Sequence, residues 1–369
     1  KYAHSNGVTS IHHMTEPADR NRGGVANDPE EYLDAHSRGN LNIRVNCAVP
    51  IQGWQGYLNK IATIAKIATT ETIATKKPIN HMSDNMLKFG SVKGYVDGSL
   101  GSHSAAFFSP YLNSATASAT ITSTTENYCG DIVNSEEDLF NWISEIDKAN
   151  LQVFIHAIGD RGINTILNIF EKVVKTNGVR DRRWRIEHAQ HLSFDDVPRF
   201  ISLGVIASMQ PYHAIDDGRW AEEILGAKRV RGSYAFRTLL DAGVRLAFGS
   251  DWFVAPPSPI LGIHAAVTRK TLVDGKICGK SFLPEQKITV EEALKAYTID
   301  AAYSVHEENL KGSLEVGKLA DFSILSKDIT KTNTNANTNA NTNTCVANEE
   351  IENTLVLLTV LGGKVVFNI

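Results

Sequence analysis

The sequence predicts an α/β fold, because short apolar runs rich in Val and Ile alternate with longer helical stretches. The runs cover residues 7–14, 41–49, 87–98, 151–159, 184–189, 204–211 and 244–251. Short apolar runs of this kind are typical of parallel strands that are buried on both faces. The β-then-α rhythm favours a (β/α)8 barrel or a doubly wound sheet, and the chain supplies seven strands rather than eight.

Helix signals fall between the apolar runs. Ser135 is expected to cap a helix that continues to Ile146, and Thr289 with Glu292 forms a capping-box pattern at the start of another helix. Further helices are predicted over residues 54–71, 257–271 and 289–306. Residues 99–127 are rich in Ser, Thr and Ala and are expected to form a long loop over the mouth of a barrel.

The chain is expected to divide into a large unit and a small one. Residues 1–308 are assigned to the barrel, and residues 309–369 to a small β appendage with strands in the runs 312–325 and 354–367. An insert at about 328–348 contains the tract KTNTNANTNANTNT, which has no residue that could build a core. We therefore expect this insert to be disordered.

The overall charge argues against a polyanionic partner. The 369 residues carry a net charge of -4 at pH 7, which gives no reason to expect binding to nucleic acid or to an anionic membrane. No apolar run approaches the roughly 20 residues that span a bilayer. Four scattered cysteines without a C-x-x-C pair indicate reduced thiols, and a cytoplasmic location is expected. The oligomeric state stays open.

Four ionisable residues stand at or near the carboxyl ends of predicted strands, where the functional residues of an α/β barrel lie. They are Lys93, His156, His188 and Asp251. The two histidines are 32 residues apart, about the length of one β/α unit, so we expect them at equivalent heights on neighbouring strands. Two neutral imidazoles and a carboxylate suit zinc or a similar divalent ion that activates water.

The other two members of this group raise separate questions. Alternation along the strand 244–251 places Asp251 on the face of Ala247 and Gly249, so its side chain is expected to point into the barrel. Lys93 is the unusual member, because a protonated ammonium would be repelled by a metal ion. A lysine carbamylated by CO2 would instead supply an anionic oxygen ligand, and both interpretations stay open.

Six motifs stand in order along the chain: VKGYVDGSLGS, HAIGDRG, RIEHAQ, QPYH, SYAFRTLLDAGVRLAFGSDW and ALKAYTIDAAY. Together they resemble the third family of the amidohydrolase superfamily, which includes N-substituted formamide deformylases, over about residues 7–325. The resemblance implies a metal-dependent (β/α)8 TIM barrel with a β-sandwich built from both chain ends. The implied activity is hydrolysis of carbon–nitrogen bonds other than peptide bonds, with one or two divalent ions, zinc in the first instance.

The resemblance also implies a role for each of the four ionisable residues. His156, His188, Asp251 and Lys93 match metal-ligand positions, and Asp251 is in addition the implied catalytic acid–base. It would take a proton from the water that attacks an amide-type carbonyl and deliver it to the departing nitrogen. The expected partner is therefore a small-molecule substrate of amide type.

Substrate contacts are expected from residues near the same rim. Gln210 and His213 follow the strand 204–211 and could contact the substrate or its oxyanion. Asp97 and Arg161 are assigned to substrate binding as well. Alternatively, Asp97, Arg161 and Asp160 order the metal ligands from behind.

One family motif is missing. An H-x-H pair on the first strand is characteristic of the family, and this sequence contains none. We therefore expect the first strand to lie upstream of Lys1 and the metal site to be incomplete. His12 and His13 do not replace the pair, because adjacent strand residues face opposite ways. The alternative function is an inactive, truncated remnant with at most a binding or scaffold role, and a cyclic-imide hydrolase or deaminase of the same superfamily is a weaker third hypothesis.

Overall fold

The computed structural model describes residues 1–15, 28–64, 85–112, 127–331 and 348–369, and its central feature is a seven-stranded parallel sheet. The strands are β1 (Ser10–Met14), β2 (Arg44–Pro50), β3 (Leu87–Tyr95), β4 (Gln152–Ala157), β5 (Arg185–His188), β6 (Ile206–Met209) and β7 (Leu246–Phe248). Their order in the sheet is their order in the chain, and each pairs in parallel with the next. The seven apolar runs and the α/β fold class are confirmed.

Helices lie between consecutive strands of the parallel sheet, and further helices precede β1 and follow β7. They are α1 (Tyr2–Ser5), α2 (Asp28–Ser37), α3 (Trp54–Ile64), α4 (Glu136–Lys148), α5 (Asp160–Asn177), α6 (Val197–Leu203), α7 (Pro211–Asp217), α8 (Ala221–Arg229), α9 (Phe236–Asp241), α10 (Pro259–Thr268), α11 (Val290–Tyr297) and α12 (Ile299–Tyr303). Both predicted caps are confirmed: Ser135 accepts a hydrogen bond from the backbone of Asp138, and Thr289 with Glu292 forms a reciprocal capping box. The part of the predicted helix 54–71 beyond Ile64 lies outside the described residues.

The sheet curls on itself, which brings non-neighbouring strands into contact. The guanidinium of Arg185 on β5 donates to Nδ1 of His12 on β1 at 2.9 Å, although three strands separate them in the sheet. Val305 packs inside this curve against Ala48 and Phe154 and is fully buried. The carboxyl ends of the seven strands consequently face one common mouth.

His12 and His13 occupy opposite faces of β1, as the strand alternation predicts. His12 lies in the interior beside Arg185, and His13 lies on the helix side, where its Nδ1 is 3.2 Å from the hydroxyl of Tyr32 on α2. The two imidazoles therefore cannot hold one ion together.

The predicted helix 257–271 is shorter in the structure, where it covers Pro259–Thr268. Helix α10 stops at Thr268, because Arg269 adopts a left-handed backbone conformation with φ of 56°. An antiparallel hairpin follows, formed by β8 (Lys270–Val273) and β9 (Lys276–Ser281). Its turn is Asp274-Gly275 with both φ values positive, the pattern that a two-residue hairpin loop requires.

The C-terminal residues form the predicted β appendage. Strands β10 (Phe322–Leu325), β11 (Val356–Leu361) and β12 (Lys364–Asn368) make an antiparallel three-stranded sheet. Arg44 at the start of β2 forms a bidentate ion pair with Asp321, with distances of 2.6 and 2.9 Å, which joins the appendage to the parallel sheet. The Asn/Thr-rich tract lies outside the described residues.

The helices in the described part of the chain include none that is both long and apolar enough to cross a lipid bilayer.

Candidate metal centre

The predicted site residues meet at the carboxyl ends of adjacent strands. His156 is the penultimate residue of β4 and His188 is the last residue of β5, and the sheet register pairs Ala157 with His188. His213 lies in the first turn of α7, directly after β6. Asp251 follows β7 by three residues.

Three of these residues could hold one ion. One ligand atom each of His188, His213 and Asp251 lies within 4.8 Å of the other two. The Nε2 of His213 is 3.9 Å from the Asp251 carboxylate, and the rings of His188 and His213 are stacked with centroids 6.2 Å apart. The two histidines are largely buried, whereas the side chain of Asp251 is 41% exposed, so one side of the cluster opens to solvent.

Asp251 was predicted to lie on the strand 244–251, but the structure places it beyond the end of that strand. Strand β7 ends at Phe248, and Asp251 sits in the following loop with φ of 57°, so strand alternation does not determine its direction. The loop itself turns the carboxylate towards His213. His188 also has a left-handed backbone, with φ of 73°. Non-glycine residues in this conformation are uncommon and concentrate at functional sites.

Gln210 fixes the orientation of His188. The Oε1 of Gln210 is 2.9 Å from Nδ1 of His188, and an amide oxygen can only accept a hydrogen bond. Nδ1 of His188 therefore carries the proton, and Nε2 keeps its lone pair. Gln210, which the sequence analysis assigned to substrate or oxyanion contact, thus orients the imidazole of His188 by a hydrogen bond. Hydrogen-bond partners of metal-bound histidines commonly have this role.

His156 packs against His188 but is engaged elsewhere. Its Nε2 donates to the carbonyl of Gly98 at 3.0 Å, and its ring meets that of His188 edge-on with centroids 4.6 Å apart. The same Nε2 is 3.6 Å from the carboxylate of Asp97. The remaining nitrogen of His156, Nδ1, is the one with a lone pair in this tautomer.

Lys93 lies deeper in the curve of the sheet. It is buried, and its Nζ stands 4.6 Å from the centre of the Tyr95 ring. Burial is the largest cause that lowers the pKa of His156 and His188, and the positive charge of Lys93 lowers both further. The pKa of the buried carboxyl of Glu187 is lowered because Arg185 and, more weakly, Lys93 act against the effect of burial. Glu187 was not singled out in the sequence, although R-x-E within RIEH places two charged residues on one interior strand face.

Burial keeps the imidazoles neutral. It is the main cause that lowers the pKa of His188, and it lowers the pKa of His213 to about 4. The next cause that lowers the pKa is the charge of Lys93 for His188 and the neighbouring imidazole of His188 for His213. The Asp251 carboxylate opposes both shifts. Neutral imidazoles at neutral pH are the form that binds a metal ion.

Asp97, Asp160 and Arg161 support the loops around the mouth. The buried carboxylate of Asp97 accepts from the backbone N–H groups of Ala106, Ile158 and Gly159 at 2.8–3.0 Å. Burial raises the pKa of Asp97 to about 7, against the effect of these three donors. Because Asp97 is buried, a substrate cannot reach its carboxylate. Its contacts with three backbone N–H groups match the alternative in which Asp97 orders the residues behind the metal ligands.

Asp160 and Arg161 also bind backbone groups of a loop near the mouth. Asp160 accepts from the backbone N–H of Phe108 at 2.9 Å, and Arg161 donates to the carbonyl of Gly130, also at 2.9 Å. Both contacts tie the start of α5 to the loop that follows β3. Neither residue belongs to the cluster of His188, His213 and Asp251.

The cluster fits a divalent metal ion. Its donors are two neutral nitrogens and one carboxylate, and the buried Nε2 of His213 has no hydrogen-bond partner in the described part of the chain. A buried polar atom without a partner calls for an explanation, and an ion supplies one. A curled parallel sheet that carries such donors at its carboxyl edge defines a metal-binding α/β protein of barrel type, a class that includes metal-dependent hydrolases.

Comparison with known proteins identifies the family. The chain belongs to the amidohydrolase family, whose sequence model matches residues 1–367. It is 37% identical to Protein LONG AFTER FAR-RED 3 of Arabidopsis thaliana over 88% of this chain and 51% of that protein. It is 30% identical to putative amidohydrolase YtcJ of Bacillus subtilis, over 70% and 46%, and 26% identical to the N-substituted formamide deformylase of Arthrobacter pascens, over 66% and 42%. The chain thus spans about half the length of the curated relatives it matches.

Solved structures agree with this assignment. An uncharacterized metal-dependent hydrolase from Pyrococcus furiosus superposes with a TM-score of 0.65 at 25% identity, covering 86% of this chain and 56% of that one. Atrazine chlorohydrolase TrzN from Arthrobacter aurescens, solved with zinc, superposes with a TM-score of 0.57 over 99% of this chain and 69% of that one. At 14% identity, that second likeness concerns the fold alone.

Proposed function

We propose that the chain is the metal-binding part of a hydrolase that cleaves carbon–nitrogen bonds of amide type in a small molecule. The observation that carries the proposal is the cluster of His188, His213 and Asp251 at the mouth of the curled sheet. A zinc ion bound at this mouth would lower the pKa of a water molecule and polarise the substrate carbonyl. The name of the Arthrobacter pascens relative makes N-substituted formamides the first substrates to test.

Residues around the mouth supply the acid–base group and position the histidines. Asp251 is the acid–base, because its carboxylate is exposed to solvent and lies beside His213. It accepts the proton of the attacking water and returns it to the nitrogen that leaves, a role typically worth about 10²–10⁴-fold in rate. Gln210 holds His188, and Asp97, by accepting from the backbone N–H of Ala106, closes the loop in which Gly98 supplies the carbonyl partner of His156.

The test is hydrolysis by the purified, zinc-loaded chain, followed by release of free amine. N-substituted formamides and longer N-acyl amides form the substrate panel. We expect Asp251→Asn to lower kcat/KM by at least about 10²-fold. Asp195→Asn, which removes an exposed carboxylate on a remote turn, should leave it unchanged.

Absence of zinc-dependent amine release over the whole panel would contradict the proposal. It would favour the alternative of an inactive chain with at most a binding role. Equal loss in both variants would show that Asp251 has no special part in the reaction.

A further inference from the structure

We propose that Tyr234 is a positioning residue of the site, because it binds both of the segments that carry the histidines of the cluster. It contacts the segment of His188 through its backbone and the helix of His213 through its hydroxyl. Tyr234 is not itself a member of the cluster. The inference rests on the proposed function, since it concerns the placement of the same two imidazoles.

Helix α7 carries His213 in its first turn, but it is too short to fix its own direction. It has seven residues, and helices of this length are marginal in water without tertiary contacts. His213 lies four residues, or about 6 Å along the helix axis, from Asp217 at the other end. The contacts made at Asp217 therefore influence the direction in which the ring of His213 points.

The hydroxyl of Tyr234 holds the end of α7. It donates to the carboxylate of Asp217 at 2.5 Å, and Tyr234 is fully buried. Burial raises the pKa of Asp217 to about 6, so the carboxylate is mostly ionised at pH 7.5. A hydrogen bond to an ionised acceptor is about twice as strong as a neutral one. The bond therefore provides a firm anchor at the end of α7 that is opposite to His213.

The backbone of Tyr234 holds the segment that follows β5. Its N–H donates to the carbonyl of Gln190, two residues beyond His188, at 2.6 Å. The hydroxyl of the neighbouring Ser233 is 2.7 Å from Nδ1 of His191 in the same segment. Tyr234 makes these contacts with a left-handed backbone, φ 49°, which is uncommon for a bulky residue. Backbone and side chain of one residue thus link the segment of His188 to the helix of His213.

Arg269 holds Tyr234 in place and connects it to a second support of α7. Arg269 is fully buried, and its guanidinium donates to the carbonyls of Tyr234 at 3.1 Å and of Phe282 at 2.9 Å. The ring of Phe282 lies against Gly218, directly after α7, where an added Cβ would stand only 2.6 Å from it. The end of α7 is thus held between Tyr234 and Phe282, and one arginine binds both.

Apolar packing of α7 is the alternative explanation for the position of His213. Ile215 of this helix is buried in one cluster with Ala265 and Ile277. Apolar burial is non-directional, whereas a hydrogen bond has a preferred distance and angle. We therefore assign the burial of α7 to Ile215 and the direction of the helix to the bond between Tyr234 and Asp217.

Hydrogen exchange at pH 7.5 tests the anchor with variants that remove or keep this one bond. Tyr234→Phe removes the hydroxyl, Asp217→Leu removes the acceptor, and Asp217→Asn keeps an acceptor oxygen. Tyr32→Phe is the matched control, because this hydroxyl is 3.2 Å from a ring nitrogen of His13 on the helix side of β1. Relative to the amides of α5, those of α7 should exchange about 10–100-fold faster in Tyr234→Phe and be unchanged in the control.

Zinc affinity, measured by chelator competition on folded samples, tests the consequence for the site. The Kd for Zn²⁺ should rise about 10-fold in Tyr234→Phe and in Asp217→Leu. It should stay near the wild-type value in Asp217→Asn and in Tyr32→Phe. The double variant Tyr234→Phe/Asp217→Leu should bind Zn²⁺ no more weakly than the weaker of its two single variants, because both changes remove the same bond.

Wild-type Zn²⁺ affinity in a folded Tyr234→Phe variant would overturn the inference and leave Tyr234 with a role in stability alone. So would an equal acceleration of exchange in α7 and α5. A wild-type chain without saturable binding up to about 1 mM Zn²⁺ would overturn it together with the proposed function. The predicted effects on exchange and Zn²⁺ affinity without amide hydrolysis would support the inference and refute only the proposed function.

Discussion

Replacement of Gln210 by leucine should weaken metal binding without disrupting the fold. The side chain is buried, and its Oε1 accepts the hydrogen bond from Nδ1 of His188 at 2.9 Å. Leucine has a similar size but no acceptor, so the Nδ1–H group of His188 would lose its partner. The imidazole would then be free to rotate or to adopt the other tautomer, in which Nε2 has no lone pair for an ion.

The magnitude follows from this single bond. A buried N–H group that loses its acceptor costs about 1–3 kcal/mol. Loss of an outer hydrogen bond to a metal-bound histidine typically lowers metal affinity about 10–100-fold, or about 1.4–2.7 kcal/mol. The two ranges agree, so we expect the Kd for Zn²⁺ to rise about 10–100-fold in Gln210→Leu. Gln210→Glu keeps an acceptor and should retain the wild-type affinity or exceed it.

The assay is a Zn²⁺ titration by chelator competition, combined with urea unfolding of the same samples. Gln286→Leu is the matched control, because Gln286 is also buried and forms hydrogen bonds, with Thr238, at a remote place. Both leucine variants should lose stability, and Gln210→Leu alone should lose Zn²⁺ affinity. Wild-type Zn²⁺ affinity in a folded Gln210→Leu variant would refute the reasoning.

Three further predictions concern stability. Arg44 and Asp321 form an ion pair in which both side chains are 5% exposed, so Arg44→Met alone should cost about 3–5 kcal/mol in urea unfolding, and adding Asp321→Leu should recover much of it. Burial lowers the pKa of His191 to about 3, so its contribution is complete above pH 6.5 and is lost as pH falls towards 3. His191→Phe should therefore flatten the acid side of the stability profile by about 1.4 kcal/mol per pH unit, and an unchanged slope would contradict this cause. A Cβ on Gly162 would lie 2.5 Å from the Asp97 carboxylate, so Gly162→Ala should cost about 1–3 kcal/mol in the same assay.

The strands were predictable because parallel strands buried on both faces appear in a sequence as short, nearly continuous apolar runs. The run 151–159 contains β4, and the run 244–251 contains β7, with only the ends trimmed. The opposite directions of His12 and His13 also followed from strand geometry alone. These features depend on local periodicity, which a single sequence carries.

The hairpin formed by β8 and β9 was missed for a local reason. The helix ends at Thr268, but residues 269–271 contain no glycine or proline that would stop a helix, so the predicted helix extended to 271. The decisive signal was Asp274-Gly275, a pair typical of two-residue hairpin turns. This pair stands in the sequence three residues beyond the end of the predicted helix and is the signal that identifies the hairpin.

The proximity of several candidate site residues was predictable from the sequence, but their detailed geometry was not. Strand ends identified His156, His188 and Asp251, because all carboxyl ends of a parallel sheet face one side. The grouping of His213 with Asp251 depends on a loop backbone with positive φ, which strand alternation cannot describe. The bond between Gln210 and His188 depends on side-chain rotamers, which residue spacing does not determine.

The most direct test of the account couples zinc content to hydrolysis in one sample. The purified chain is stripped with a chelator, refilled with Zn²⁺ in steps, and assayed for amine release from an N-substituted formamide. The account predicts no activity without zinc and a rate that rises in proportion to the fraction of chains that carry one ion. A rate that is independent of zinc content, or full zinc occupancy without any amine release, would contradict it.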